Sequence, residues 1–212
     1  MSKKPDSSSS PRGRPKGDKR ERTRAKLLEA ARQLVREKGY EQATLEEVAK
    51  RAGMTTGAIY GNFRNREELF VALGQAYWPA IKPQVKPGAS VAEIMRAMAK
   101  ATIAVMPDRK AAAIGRFTGI AYTLQHDELL RQVHEVTAQS YALGAEWLRG
   151  VADEGELPMP AEQMVRVIHA LSEGLILHSL LTPDLFPKSL CYAAFDALAM
   201  APKQARGRKR PE

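Results

Sequence analysis

Between Ala43 and Phe70 the chain sets out a group of residues suited to holding a polyanion. Thr55 and Thr56 open a short helical stretch, Gly57 follows, and Tyr60, Gly61 and Asn62 come about one turn later. Threonine hydroxyls and a helix N-terminus bond phosphate oxygens, and a tyrosine hydroxyl is a rigidly mounted donor. The Thr56 methyl can also touch a thymine methyl. Groupings suited to catalysis are missing from the sequence: it has no G-x-S-x-G, P-loop or HExxH, so an enzyme is not expected. The four histidines are dispersed, and His126 and His134 stand eight apart on one helix face, too far to share one metal without a third ligand between. No metal site and no cofactor is expected. The single cysteine, Cys191, excludes an internal disulfide framework and sits in the apolar run LCYAAFDALAM, where a buried core residue is expected.

The neighbouring residues supply the elements that would hold these groups out. Thr44 can N-cap a first short helix, with Glu47 three residues on closing a capping box. Leu45, Val48 and Ala49 then share one face, and Gly53 stands where a tight turn needs a residue free to take positive φ. Thr55 caps the second short helix, whose Ile59 and Phe63 turn inward. That leaves Thr56, Gly57, Tyr60, Gly61 and Asn62 facing out. Such a helix is shaped to enter a DNA major groove, so the stretch reads as a helix-turn-helix.

Upstream, Arg20 to Lys38 reads as an amphipathic helix through Leu27, Leu28, Ala31, Leu34 and Val35, ended by Gly39. Downstream, Asn65 can cap a fourth helix running towards Trp78, with Glu68 at its third position. The Pro-rich PAIKPQVKPGAS is a composition break, and a domain boundary is expected near residue 82. Further helices are expected from Ser90 to a stop at Pro107, over 109–124, from a cap at Asp127 to about Gly150, over 161–181, and over 188–200. The fold class expected is all-α, about nine helices without a strand: a basic tail over 1–19, a DNA-binding domain over 20–82, a helical domain over 83–201 and a second basic tail over 202–212.

The run from Arg22 to Phe70 resembles the DNA-binding domain of the TetR family of bacterial transcriptional regulators. The pieces TLEEVAKRAG, GAIYGNF and REELF carry the resemblance at the family's spacing, over about a quarter of the chain. The resemblance implies that Thr55, Tyr60 and Asn62 contact phosphates and that Thr56 and Gly57 face base edges. It also places Thr44 near the backbone and has Arg66 bring a charge to the same strand. Many members carry lysine where this chain has Thr56, and a large residue where it has Gly61, so base readout here is expected to be thin.

The family's C-terminal helices enclose an effector pocket and pair with a symmetry mate. On that pattern Trp78, Met98, Phe117, Tyr122, Tyr141, Trp147 and His178 are pocket candidates. Val165, Ile168, Leu171, Leu175, Leu190, Ala194, Phe195 and Leu198 are candidates for the dimer interface. The resemblance implies a homodimer that binds a palindromic operator on double-stranded DNA, in most members a repressor, and answers to a small-molecule effector through the fourth helix.

The net charge of +9 lies in the tails: residues 1–26 carry +7, residues 203–212 carry +4, and the rest sums to −2. Basic tails attract the phosphate backbone. The segment PRGRPK resembles an AT-hook core whose Arg12 and Arg14 would lie in a minor groove. The same composition also serves a merely solubilising tail. A rival reading is therefore an architectural DNA-binding protein driven by its tails. With no signal peptide and no span of about 20 apolar residues read from the sequence, a cytoplasmic protein without membrane contact is expected.

Overall fold

Thr44, Thr55 and Ser90 each hold the chain extended and turn a side-chain oxygen onto the N–H three residues on. The donors are Glu47, Ala58 and Glu93, at 3.2, 3.2 and 3.3 Å. Each such cap satisfies a donor that the helix cannot, a contribution of about 1 kcal/mol. At Ser90 the box is complete, because the Glu93 carboxylate accepts in return from the Ser90 N–H at 2.8 Å. The Glu47 carboxylate instead meets Lys38 at 2.7 Å, tying two helices together.

The computed structural model describes residues 16–152 and 154–200. Among them the helices are α1 (Lys16–Lys38), α2 (Leu45–Arg51), α3 (Thr56–Tyr60), α4 (Arg66–Tyr77), α5 (Val91–Thr123), α6 (Asp127–Val151), α7 (Ala161–Leu181) and α8 (Lys188–Ala199). Two 3-10 turns, Glu154–Glu156 and Pro183–Leu185, complete the set, and no strand occurs among the described residues. The protein is all-α, with eight helices among the described residues rather than the nine expected.

The difference lies at Pro107, which sits inside α5 instead of ending a helix. A proline there removes one backbone hydrogen bond and crowds the preceding turn. Packing holds the helix on both sides of it: Met95, Met98, Ala99 and Thr102 are buried before the proline and Arg109 after it. Two other starts also move. α1 begins at Lys16, so residues 16–19 of the expected tail are helical. α6 begins at Asp127 itself, and His126 occupies the cap position without a side-chain bond to the helix. The remaining tail residues, Arg12 and Arg14 included, lie outside the described residues.

The chain divides into two compact units, one ending at Leu69 and the other beginning at Phe70, within α4. The division precedes the Pro-rich segment rather than falling at 82. Ile81, Val85 and Ala89 of that segment pack against the core of the second unit, and the Gly88 N–H donates to the Val151 carbonyl at 3.1 Å.

In the first unit Leu27, Ala31, Leu34, Val48, Ile59, Phe63 and Leu69 are buried, joining α1, α2 and α3. In the second, α5 packs on α7 and α8, and α6 on α7, around Met95, Leu148, Met164 and Phe195. α6 and α7 come close where Gly144 meets Val165, and a Cβ at Gly144 would lie 2.9 Å from the valine Cγ1. Cys191 is core, as expected: burial pushes its thiol up to about 11, which keeps it protonated and inert. α7 is long and apolar enough to cross a membrane by length and composition, a property the sequence reading did not find. It also carries Arg166 and Glu173 and buries Met164, Ile168, Leu175 and Ile176 within the unit. Packing in a helical core accounts for one face of it, since 28% of the apolar stretch is buried.

Gly53 carries the α2–α3 turn at φ +66°, where nothing lies within 4 Å of an added Cβ. The cost of Gly53→Ala is therefore the left-handed backbone alone, about 1 kcal/mol. Urea unfolding of the variant should show that loss, and an unchanged midpoint would mean the turn has no need of this conformation.

Candidate nucleic-acid interface

α3 has five residues, too few to hold a helix in water by hydrogen bonding alone. It is fixed from below by Ile59 and Phe63, both essentially inaccessible to solvent. It is fixed at its end by Arg24 of α1, whose Nη1 donates to the Asn62 carbonyl at 2.8 Å while the guanidinium lies 4.3 Å from the Phe63 ring centroid. A cation placed at the carboxyl end of a helix also offsets its dipole. α2 is held to α1 by a two-pronged pair, Arg51 to Glu37 at 2.6 and 2.7 Å, which draws the Glu37 carboxyl below its usual range.

With that support, Thr44, Thr55, Thr56, Gly57 and Tyr60 are all exposed. The Thr44 and Thr55 side chains are already spent as caps, so the groups they offer a ligand are a second lone pair and the hydroxyl proton. Tyr60 stands 48% exposed. Its hydroxyl donates to Glu46 Oε1 of α2 at 2.8 Å. That bond holds the Glu46 carboxyl below its usual range and pushes the Tyr60 phenol up. A phosphate approaching Tyr60 must therefore compete with a carboxylate for the same proton.

Two expected contacts are arranged differently. Asn62 is half-buried, and its Nδ2 donates to the Ala58 carbonyl of its own helix at 2.8 Å, so the amide is turned inward. Arg66 is a staple: Nε donates to the Ala43 carbonyl at 3.1 Å and Nη2 to the Glu41 carbonyl at 2.8 Å and to that of Tyr40. Its charge closes the α1–α2 connection against α4. A guanidinium matched to carbonyls distant in sequence leaves no local pattern to read.

Cationic groups not expected from the sequence lie beside α3. A shallow groove of about 290 Å³ is lined by Lys19, Arg20 and Thr23 of α1 together with Gly57, Ala58, Gly61 and Asn62. Its floor is backbone, because the two glycines carry no side chain; at Gly61 a Cβ would sit 3.3 Å from the Gly57 carbonyl. α3 itself bears no charge, so the positive charge at its edge comes from α1. The seven-residue offset between the basic run at 19–20 and the buried Leu27 is the signal that could have placed it there.

The pocket candidates of the second unit differ in their immediate partners. Met98 is core, Trp147 and Phe117 are exposed, Tyr122 stacks on His126 at 3.8 Å, and His178 stacks on Phe186 at 4.8 Å. Tyr141 bonds His169 at 2.7 Å, and Trp78 bonds Glu173. Among the described residues no group of three potential metal ligands occurs. Of the interface candidates, Ile168, Leu175 and Phe195 are buried within the protomer, Val165 lies on Gly144, and Leu171, Ala194 and Leu198 pack on the same core. Leu190 alone is exposed. The free apolar stripes lie on the opposite faces: Val167, Ala170 and Leu181 on α7, and Leu190, Ala193, Ala197 and Met200 on α8.

Residues 27–73 match the family described as bacterial regulatory proteins, tetR family. The chain is 37% identical over 82 residues to the HTH-type transcriptional repressor AcnR of Corynebacterium efficiens, a match covering 39% of this chain and 43% of that protein. It is 29% identical over 174 residues to the HTH-type transcriptional regulator TtgR of Pseudomonas putida, covering 76% and 82% of the two. Among solved structures, a putative TetR-family regulator from Rhodococcus sp. superposes with a TM-score of 0.63 at 19% identity, covering 84% of this chain and 99% of that one. A SmeT–triclosan complex superposes with a TM-score of 0.57 at 20% identity, covering 90% and 100%. The fold and the helix-turn-helix together define a helical DNA-binding regulator architecture. Residues 27–73 carry the DNA-binding domain of the TetR family of transcriptional regulators, and the chain as a whole is similar in fold to TetR-family structures.

The Tyr60–Glu46 pair sets an expectation for DNA binding. Tyr60→Phe removes a phosphate donor and should weaken binding about tenfold, the effect of one hydrogen bond to a charged acceptor. Glu46→Gln removes a competing charge and should tighten it. Fluorescence anisotropy with labelled duplex reads both, and tighter binding by Tyr60→Phe would contradict this arrangement.

Proposed function

We propose that the protein is a transcriptional repressor that binds a two-fold-symmetric operator as a homodimer and releases it on binding a small molecule. The observation that carries the DNA-binding part is α3: capped by Thr55, anchored by Ile59 and Phe63, it presents Thr56, Gly57 and Tyr60 outward with Lys19 and Arg20 beside it. Thr44, Thr55, Tyr60, Lys19 and Arg20 meet phosphates, and Thr56 and Gly57 approach base edges. Arg12 and Arg14 would add minor-groove contacts.

The exposed stripes of α7 and α8 support a symmetric partner. Small side chains at Ala170, Ala193 and Ala197 let helices of two protomers approach, and Leu181, Leu190 and Met200 supply apolar area. Two copies related by a two-fold axis then present their recognition helices to half-sites about 34–36 Å apart, or a multiple of that. An effector favouring another spacing of those helices shifts the equilibrium off DNA, with α4 as the connecting element. In this reading the protein works in the cytoplasm and has no enzymatic activity.

The test is binding to the DNA upstream of its own coding region against an A·T-rich duplex of unrelated sequence, at 50 and 200 mM salt. A specific regulator keeps a preference of at least a hundredfold at both concentrations. Equal affinities that collapse together with salt would favour the architectural reading, in which the basic tails do the binding.

A further inference from the structure

The buried stripe of α5 changes character along its length. It is apolar at Val91, Met95 and Met98, and continues at seven-residue spacing as Thr102, Arg109 and Arg116. Polar residues of α7 face it: Thr102 bonds Ser172 at 3.4 Å, and both are buried. Arg109 is only 2% exposed. Its Nη2 donates to the Pro79 carbonyl, but its Nε and Nη1 are buried without a partner, and so is the Nε of Arg116.

The surrounding groups do not balance this charge. Trp78 lies under both guanidiniums, 4.2 Å from Arg109 and 5.5 Å from Arg116, and a ring face recovers only part of the hydration a guanidinium loses. Glu173 is the acidic side chain of α7 closest in chemistry, and both its oxygens are engaged by the Trp78 Nε1 at 2.9 and 3.1 Å. It thereby positions the indole, with His169 Nε2 3.9 Å from its Oε1. Asp108 acts on Arg109 only from the exposed side of α5. Two positive charges thus face one committed negative one. Burial also draws the Arg109 guanidinium below its usual range, opposed by Glu173.

We propose that the α5–α7 interior beside Trp78 is an anion site, in which Arg109 and Arg116 hold the carboxylate of a small organic acid with an apolar body. The inference rests on the regulator reading only in making that acid the effector. Orphaned buried N–H groups call for an acceptor, and a carboxylate supplies both the acceptors and the missing charge. The apolar first half of the stripe suits the rest of such a molecule.

The experiment is calorimetry on the full chain with benzoate and hexanoate, and with benzamide and hexanamide as neutral counterparts of the same shape. At least one acid should bind saturably while its amide does not, with a change in tryptophan emission. Arg116→Gln, at a half-buried position, should weaken that binding at least tenfold, and Arg109→Gln should abolish it, each variant checked by its melting transition. The proposal is overturned if neither acid binds, if acid and amide bind alike, or if Arg116→Gln binds as tightly as the parent. Operator affinity is measured on the same samples without acid and with it. Acid binding that leaves operator affinity unchanged upholds the site and removes its effector role. Operator binding with no acid bound removes the site and leaves the regulator.

Discussion

A five-residue helix has no stability of its own, and the DNA-facing surface exists only because α3 is clamped from three sides. Thr55 closes its start, Ile59 and Phe63 bury its inner face, and Arg24 takes up the Asn62 carbonyl while lying on the Phe63 ring. Thr56, Gly57 and Tyr60 depend on this clamp, and Tyr60 adds to it through its hydroxyl bond to Glu46 of α2. The remainder of the first unit serves the same end. Arg51 and Lys38 tie α2 to α1, Gly53 turns the chain from α2 into α3, and Arg66 fastens the start of α4 to the α1–α2 connection.

The clamp also explains how charge is distributed around the reading surface. A short helix with a small outer face approaches DNA closely but brings no cation to it. Lys19 and Arg20 of α1 stand beside the glycines of α3 and supply what that helix lacks. Glu46 works the other way, placing a carboxylate on the Tyr60 hydroxyl. In the proposed function, binding strength is set by the balance between attraction from the basic residues and a local competitor that phosphate must displace.

What the sequence made legible follows from range. Caps are interactions across three residues, so Thr44, Thr55, Ser90 and Asn65 could be read directly, and with them the helix-turn-helix and the all-α class. The staple made by Arg66 could not be read because its partners lie 23 to 26 residues away, and nothing local distinguishes a staple from a surface cation. Taking Pro107 as a helix stop cut the α5 stripe in two, which hid that Thr102, Arg109 and Arg116 share a face. The faces of α7 and α8 were hard to assign for a related reason. Both faces of α7 and α8 are apolar, and only packing shows that Ile168, Leu175 and Phe195 belong to the protomer core while Val167, Ala193 and Ala197 are free.

The central claim is that two clamped copies of α3 read DNA as a symmetric pair. Hydroxyl-radical footprinting of the full chain on its own upstream region tests it most directly. The account predicts two protected patches on one face of the duplex, related by two-fold symmetry and separated by one helical turn or a multiple of it. Uniform protection without a repeat, or a single unpaired patch, would contradict it.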